Sequence, residues 1–275
     1  MRIYNNVNAV STQNSLGAAN MGMTKSLEKL STGLRINRAA DDAAGLSVSE
    51  GLRAQIRGSN TAQRNANDAL AMLQIAESGT QEITNSLQRM RELAIQSSNG
   101  TYTNADRDYI QAEFTQLQCE ITRIAQATTY NGVKLLDASG TSTFSFQVSA
   151  SATGENVNAS TISFSVKKDL AGTLDLGQVS GQSLAQAAIT KIDNVLTSVL
   201  SMRSDIGASM NRLEKTVSNL GVAITNMTDA ESRIRDTDFA SESTKFTRNQ
   251  ILTNSAQSML AQANQLPQGV MSLLR

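Results

Sequence analysis

Seven apolar residues, Ile206, Met210, Leu213, Val217, Leu220, Ile224 and Met227, follow one another at intervals of 4, 3, 4, 3, 4 and 3. That alternation keeps them in one narrow stripe on a helix, the seam of a coiled coil. The stripe extends backwards through Val199, Leu196 or Val195, and Ile192, and Ser183 with Gln186 stands at capping-box spacing, so a helix starts near Ser183. Carried to Arg235 at a rise of ~1.5 Å per residue, it is on the order of 80 Å long. A helix of that length, apolar at two positions per heptad, is stable only against partner helices of similar length. The remaining sequence must supply them.

Composition narrows what such helices can do. Aromatic residues make up 4% of the chain, Trp is absent and one proline occurs in 275 residues. Round cores draw much of their buried area from large rings, and helix interiors exclude proline, so packed helices are favoured. The 24 Lys and Arg balance 24 Asp and Glu, which leaves no net field to draw nucleic acid or an anionic lipid surface. There is no histidine, and Cys119 is the only cysteine. Catalytic triads, zinc sites and disulfides are thereby excluded or nearly so, and no catalytic residue, metal or cofactor is expected. Cys119 lies near Leu117 and Ile121 in a helical pattern and reads as a small filler or partly exposed bystander. No stretch approaches the ~20 apolar residues of a membrane span. Met1–Asn6 lacks a continuous apolar segment, so export without an ordinary cleavable signal is the expectation.

Along the chain the first thirty residues carry sparse apolar positions, Val7, Val10, Leu16, Met23, Leu27, Leu30 and Leu34, among polar residues and Gly17 and Gly22. Such a segment is too weak to hold a helix alone and is expected to order against a partner. Gly33, Gly45, Gly51 and Gly58, with Asn37 and Asp41-Asp42, then predict a helix that stops, a structured connector and a helix that restarts. Arg35, Arg38, Asp41 and Asp42 are read as a connector tied down by Arg–carboxylate hydrogen bonds, because paired carboxylates without a pocket do no acid–base chemistry. The seam returns from Asn60 to Ser98 through Ala66, Ala69, Leu73, Ala76, Thr80, Ile83, Leu87, Met90 and Ala94. Asn99-Gly100 is a stop with glycine near the C′ position, and Thr103 with Asp106 marks a new start. A third helix carries Ile110, Phe114, Leu117, Ile121, Ile124 and Thr128 and ends before an Asn131-Gly132 turn.

Between Asp137 and Gln182 the chain turns to Ser, Thr and Gly. Phe144, Phe146 and Val148, then Ile162, Phe164 and Val166, alternate with polar residues, predicting a β-hairpin with one covered face around a polar loop at 150–160. After a charged break at Ala230–Phe239, a last stripe runs through Leu252, Ala256, Met259, Ala263, Leu266, Val270 and Leu273 and is interrupted by Pro267. This stripe and the N-terminal one look like complementary halves of one coiled coil that an assembly uses. The expected fold class is therefore mainly α, a long coiled-coil helical rod with one small β-hairpin.

Five motifs carry a resemblance: LSTGLRINRAADDAAGLSVSEGLRAQIRG at Leu30–Gly58, RELAIQSSNGT at Arg91–Thr101, YNGVKLLD at Tyr130–Asp137, ESRIRDTDFAS at Glu231–Ser241 and NQLPQGVMSLLR at Asn264–Arg275. In order and at both ends, they resemble a bacterial flagellin, the subunit of the flagellar filament, here of a minimal type with a short central insert. The resemblance implies a terminal coiled-coil domain made from 1–40 and 236–275, a rod domain from 41–137 and the long helix at 183–235, and a hairpin insert at 138–182. It implies a homopolymer, with Val7, Val10, Leu27, Leu30, Leu252, Met259, Leu266, Val270 and Leu273 at subunit interfaces. Leu73, Leu87, Met90, Leu117, Ile206, Met210, Leu213, Val217, Leu220 and Ile224 form the rod-core seam. Implied partners are an export chaperone, hook-associated and cap proteins, and Toll-like receptor 5, the last through Arg89, Leu93 and Glu113, while the tail with Val270, Leu273 and Leu274 matches the part that cytosolic inflammasome receptors sense. The implied location is the extracellular filament, reached through the flagellar secretion channel. A hook–filament junction protein and a secreted coiled-coil binding module are the alternative readings. A metalloprotease insert is excluded by the lack of histidine.

Overall fold

The structure, a computed structural model, describes residues 6–136, 142–149, 161–166 and 176–273, without the side chains of 142, 165, 166 and 266–273. In chain order the elements are α1 (Val7–Thr32), α2 (Ala43–Ser98), α3 (Asn104–Ala127), β1 (Thr129–Tyr130), β2 (Val133–Lys134), β3 (Ser142–Gln147), β4 (Thr161–Val166), α4 (Gln182–Arg235) and α5 (Phe239–Leu273). They divide into two compact units, Met1–Ala54 with Asn226–Arg275, and Gln55–Thr225.

The Gln55–Thr225 unit is built on the seam of α2. Ala66, Ala69, Leu73, Ala76, Thr80, Ile83, Leu87, Met90 and Ala94 are all buried, and the one polar member, Thr80, donates its hydroxyl to the Glu77 carbonyl at 2.8 Å. Alternating alanines with large residues lets neighbouring elements approach closely while each large side chain fills a hole. Against this face pack Ile110, Phe114 and Ile121 of α3 and Ile192, Val199, Ile206 and Leu213 of α4. Each such buried side chain stabilises the fold by roughly 1.5–3 kcal/mol. The Arg91 guanidinium meets the Asp193 carboxylate at 2.7 Å, joining α2 to α4 on the surface.

Two hairpins close the unit. The predicted pair, β3 and β4, is antiparallel with Phe144 opposite Phe164 and Phe146 opposite Ile162, and Ile162, Phe164 and Val148 are buried in the core. The Asn65 amide donates to the Gln147 carbonyl at 3.2 Å, tying β3 to α2. The polar loop expected at 150–160 lies outside the described residues. A second hairpin was not expected: β1 pairs with β2 across Asn131-Gly132, where φ is 49° and 77°. Two left-handed residues in a two-residue loop twist the flanking strands together.

In the other unit, α1 opens on Asn6 as N-cap and closes on Gly33, whose φ of 72° lets its N–H reach the Lys29 carbonyl. α2 restarts at Ala43 and runs through Gly45, Gly51 and Gly58, which the sequence reading places at breaks. Each glycine costs about 1 kcal/mol inside a helix, but the start is held by Asp42, whose carboxylate accepts the Gly45 N–H at 2.9 Å. The connector is tied partly as expected, by an Arg–carboxylate hydrogen bond, and partly through its backbone. Asp41 accepts the backbone N–H groups of Asn37 and Arg38 at 3.3 and 3.1 Å, while Arg38 pairs with Glu28 at 3.0 Å and Arg35 donates to the Ile234 carbonyl. For Asp41 the Asn37 and Arg38 N–H groups are fixed and close, so its carboxylate is held by backbone rather than by the Arg35 or Arg38 side chain. Leu34 bridges Asp236, and Arg235 meets Glu50 at 2.7 Å.

α4 begins at Gln182, one residue ahead of the expected Ser183. Nor does glycine close α2. Among the described glycines only Gly33, Gly132 and Gly177 have positive φ, so Gly100 forms no left-handed cap. Arg107 does that task from the first turn of α3, donating to the Ser97 carbonyl at 3.0 Å and the Asn99 carbonyl at 3.1 Å. α5, expected to break at Pro267, continues through it to Leu273.

Candidate assembly surface

α1 and α5 pair antiparallel, as three contacts along their length define. The Asn6 amide donates to the Ala263 carbonyl at 2.8 Å, the Thr253 hydroxyl to the Asn20 side-chain oxygen at 3.4 Å, and Ser26 hydrogen-bonds with Glu242. The residues this pairing buries are small or polar: Ala19 and Ser26 of α1, and Glu242, Thr253 and Ala263 of α5. Burial works against the Glu242 charge, but the Ser26 hydroxyl, the Lys245 ammonium at 3.0 Å and the nearby Lys29 outweigh it and hold the carboxyl below its ordinary 4.5.

Leu16, Met23 and Leu30 of α1 and Phe246 and Leu260 of α5 are half-buried, but many apolar residues of the pair point the other way. Val7, Val10, Met21 and Leu27 of α1 and Phe239, Ile251, Leu252 and Met259 of α5 are each at least 50% exposed. Of the residues assigned to subunit interfaces, Leu30 is half-buried, and the side chains of Leu266, Val270 and Leu273 lie outside the described residues, as does Leu274. In the seam set, Leu73, Leu87, Met90, Ile206 and Leu213 are buried, and Leu117, Met210 and Val217 are partly buried against the same core. Leu220 and Ile224 are half-buried.

Arg89, Leu93 and Glu113 are not equivalent. The Arg89 guanidinium spans Glu113 at 2.9 Å and Glu92 at 3.0 Å on the surface, and Glu113 followed by Glu92 raises its pKa further. Leu93 is 2% exposed and belongs to the core beneath them. Cys119 is a free thiol on the exposed side of α3. Among the described residues no cluster of acidic and cysteine side chains is arranged for a metal ion, and no helix is long and apolar enough to cross a membrane.

Sequence reasoning missed the polar contacts of the α1–α5 pair and the caps made by Asn6 and Arg107. Asn6 does carry a signal, since asparagine immediately before a helix is a favoured N-cap. Arg107 carries none, because its partners are backbone carbonyls without a period.

A helical protein whose chain ends pair with each other and leave many large apolar residues exposed belongs to the class of assembly subunits. Residues 3–141 match the bacterial flagellin N-terminal helical region, and residues 189–274 match the bacterial flagellin C-terminal helical region. The chain is 43% identical to the flagellar filament 33 kDa core protein of Treponema phagedenis and 46% identical to a flagellin of Halalkalibacterium halodurans, each match covering 100% of both chains. A crystal structure of Bacillus cereus flagellin aligns at a TM-score of 0.50 and 30% identity, covering 61% of this chain and 94% of that one. The chain belongs to the bacterial flagellin family. It is a structural protein and not an enzyme, a subunit of the extracellular flagellar filament that serves motility.

Proposed function

We propose that the α1–α5 pair is the polymerising element and that the exposed apolar residues Val7, Val10, Leu27, Leu252 and Met259, with Leu30, Leu266, Val270 and Leu273, are covered by neighbouring copies of the chain. The observation that carries this is the set of large apolar residues, Val7, Val10, Met21, Leu27, Phe239, Ile251, Leu252 and Met259, that the pair leaves exposed. Identical copies making one heterologous contact repeatedly form an open helical filament, and burying apolar area at that contact makes assembly cooperative. Residues 1–40 and 236–275 then act as the terminal coiled-coil domain. Residues 41–137 and 183–235 act as the rod domain, its helices held by the seam from Leu73 to Ile224, and 138–182 as its insert. Delivery runs through the flagellar export channel with a chaperone, and the ends order on meeting filament, hook-associated or cap proteins.

The deciding experiment is elongation of short filament seeds by purified monomer, followed by electron microscopy. Long filaments are expected from the parent chain, and Leu252→Asp with Met259→Asp is expected to abolish them while the monomer's helicity is kept. Decoration of seed tips alone would move the assignment to a hook–filament junction protein, and binding of another protein in fixed ratio to a coiled-coil binding module. The family resemblance further supports Toll-like receptor 5 contact through the exposed Arg89 and Glu113, with Leu93 holding them from within. Arg89→Ala is expected to weaken binding of the receptor ectodomain, and unchanged binding would remove that contact.

A further inference from the structure

We propose that Asn6 is a positioning residue that sets the register of the two chain ends by filling the hydrogen-bond gap at Pro267, an inference that rests on reading the α1–α5 pair as the polymerising element. The Asn6 side-chain oxygen accepts the Ala9 N–H at 3.1 Å and so caps α1. With the oxygen committed there, the amide nitrogen faces α5 and donates to the Ala263 carbonyl at 2.8 Å. In an unbroken helix that carbonyl would accept the N–H of residue 267, and a proline there has none to give. Ala263 is buried, where an unpaired carbonyl is costly. One side chain therefore satisfies two helix defects, the open start of α1 and the proline gap of α5.

Register follows from uniqueness. The other contacts of the pair, Asn20 with Thr253 and Ser26 with Glu242, use hydroxyl, amide and carboxyl groups that accept several offsets. Leu16, Met23, Phe246 and Leu260 are half-buried in the same pairing, and apolar burial is non-directional, whereas a single half-buried amide with one matching partner is an efficient way to fix alignment. The chain contains one proline, so it offers one carbonyl orphaned in this way. A shift of one turn between α1 and α5 would strand both Asn6 and Ala263 and would move every outward apolar residue relative to its counterpart.

The test separates the two halves of the Asn6 amide. Asn6→Asp keeps a good N-cap but removes the donor, and Pro267→Ala gives Ala263 a helical donor of its own. Hydrogen exchange is read on the peptide covering 260–273 in the full-length parent, both single variants and the double variant, as monomers and after seeded elongation. Asn6→Asp is expected to speed exchange there by about threefold to tenfold when Pro267 is present, and by less than about twofold with Pro267→Ala. Complete loss of protection that Pro267→Ala restores supports the same assignment. An equal effect in both backgrounds, or none in either, overturns it. Elongation of the parent chain on seeds is scored separately, so failure of the filament reading does not mask the exchange result.

Discussion

Arg107 does for α2 what Gly100 does not. It is 8% exposed, and its charge is held by the Ser97 and Asn99 carbonyls and the Asn104 side-chain oxygen at 3.1 Å, at the negative end of a 56-residue helix. Arg107→Met leaves these carbonyls unpaired, and a loss of about 3 kcal/mol is expected in urea unfolding followed by circular dichroism. Arg107→Lys, with a point charge in place of the planar fork, should fall between. The carboxylates define a second residue-scale expectation. Asp41, Glu50, Asp106 and Glu242 all have pKa values below the ordinary 3.8 or 4.5, in Asp41 through the Arg38 and Asn37 N–H groups, in Glu50 through Arg235 and Arg53, and in Asp106 through Thr103. A depressed folded-state pKa contributes stability that is present above the unfolded value and lost as pH falls through the folded one. With no histidine to titrate, the melting temperature of the monomer should be flat from about pH 6 to 8 and should fall from pH 4.5 downward. A fall beginning near pH 6 would contradict this assignment.

At the scale of elements, what could be read in advance divides along the source of each element's order. Where large apolar residues recur, as from Leu73 to Met90 or in Phe144, Phe146, Ile162 and Phe164, the period itself names helix or strand and the buried face. β1 and β2, two residues each, are too short for a period, and only Asn131-Gly132 marks them. The α1–α5 pair is legible only in part: Leu16, Met23 and Leu30 of the N-terminal apolar pattern are half-buried, yet Leu252 and Met259 of the C-terminal stripe face solvent while Ser26, Glu242 and Thr253 are buried. The proline misleads, since the gap at Ala263 is filled from Asn6, 257 residues away. No large apolar residue of α1 or α5 is fully buried among the described residues, so the terminal helices should open at low free energy. In the monomer, amide exchange is expected to be fastest in α1 and α5 and slowest around Leu87 in α2, with protection of α1 and α5 rising on assembly. Equal protection of all five described helices in the monomer would show that the ends do not depend on neighbours.

For the molecule as a whole, the order of the chain separates folding from assembly. The Gln55–Thr225 unit holds the large apolar core and both hairpins, and it needs none of the last fifty residues. The Met1–Ala54 and Asn226–Arg275 unit has few buried apolar side chains and an outward apolar surface. A core of the first kind folds by itself, whereas a surface of the second kind reaches its lowest free energy only when covered. Truncation after Ser255 removes Met259, the Ala263 acceptor and everything beyond, while leaving the Gln55–Thr225 unit whole. The shortened chain is expected to stay soluble, to keep the urea transition of that unit, and to fail to elongate seeds at any concentration at which the parent does. Because α1 loses the part of α5 that faces its first turns, proteolysis should then trim the chain from its N-terminal end and stop at the folded core. Should the truncated chain grow filaments at the parent's rate, the chain ends would not be the polymerising element, and the exposed residues of the Gln55–Thr225 unit, among them Ile75, Ile95 and Tyr109, would have to carry the contacts instead.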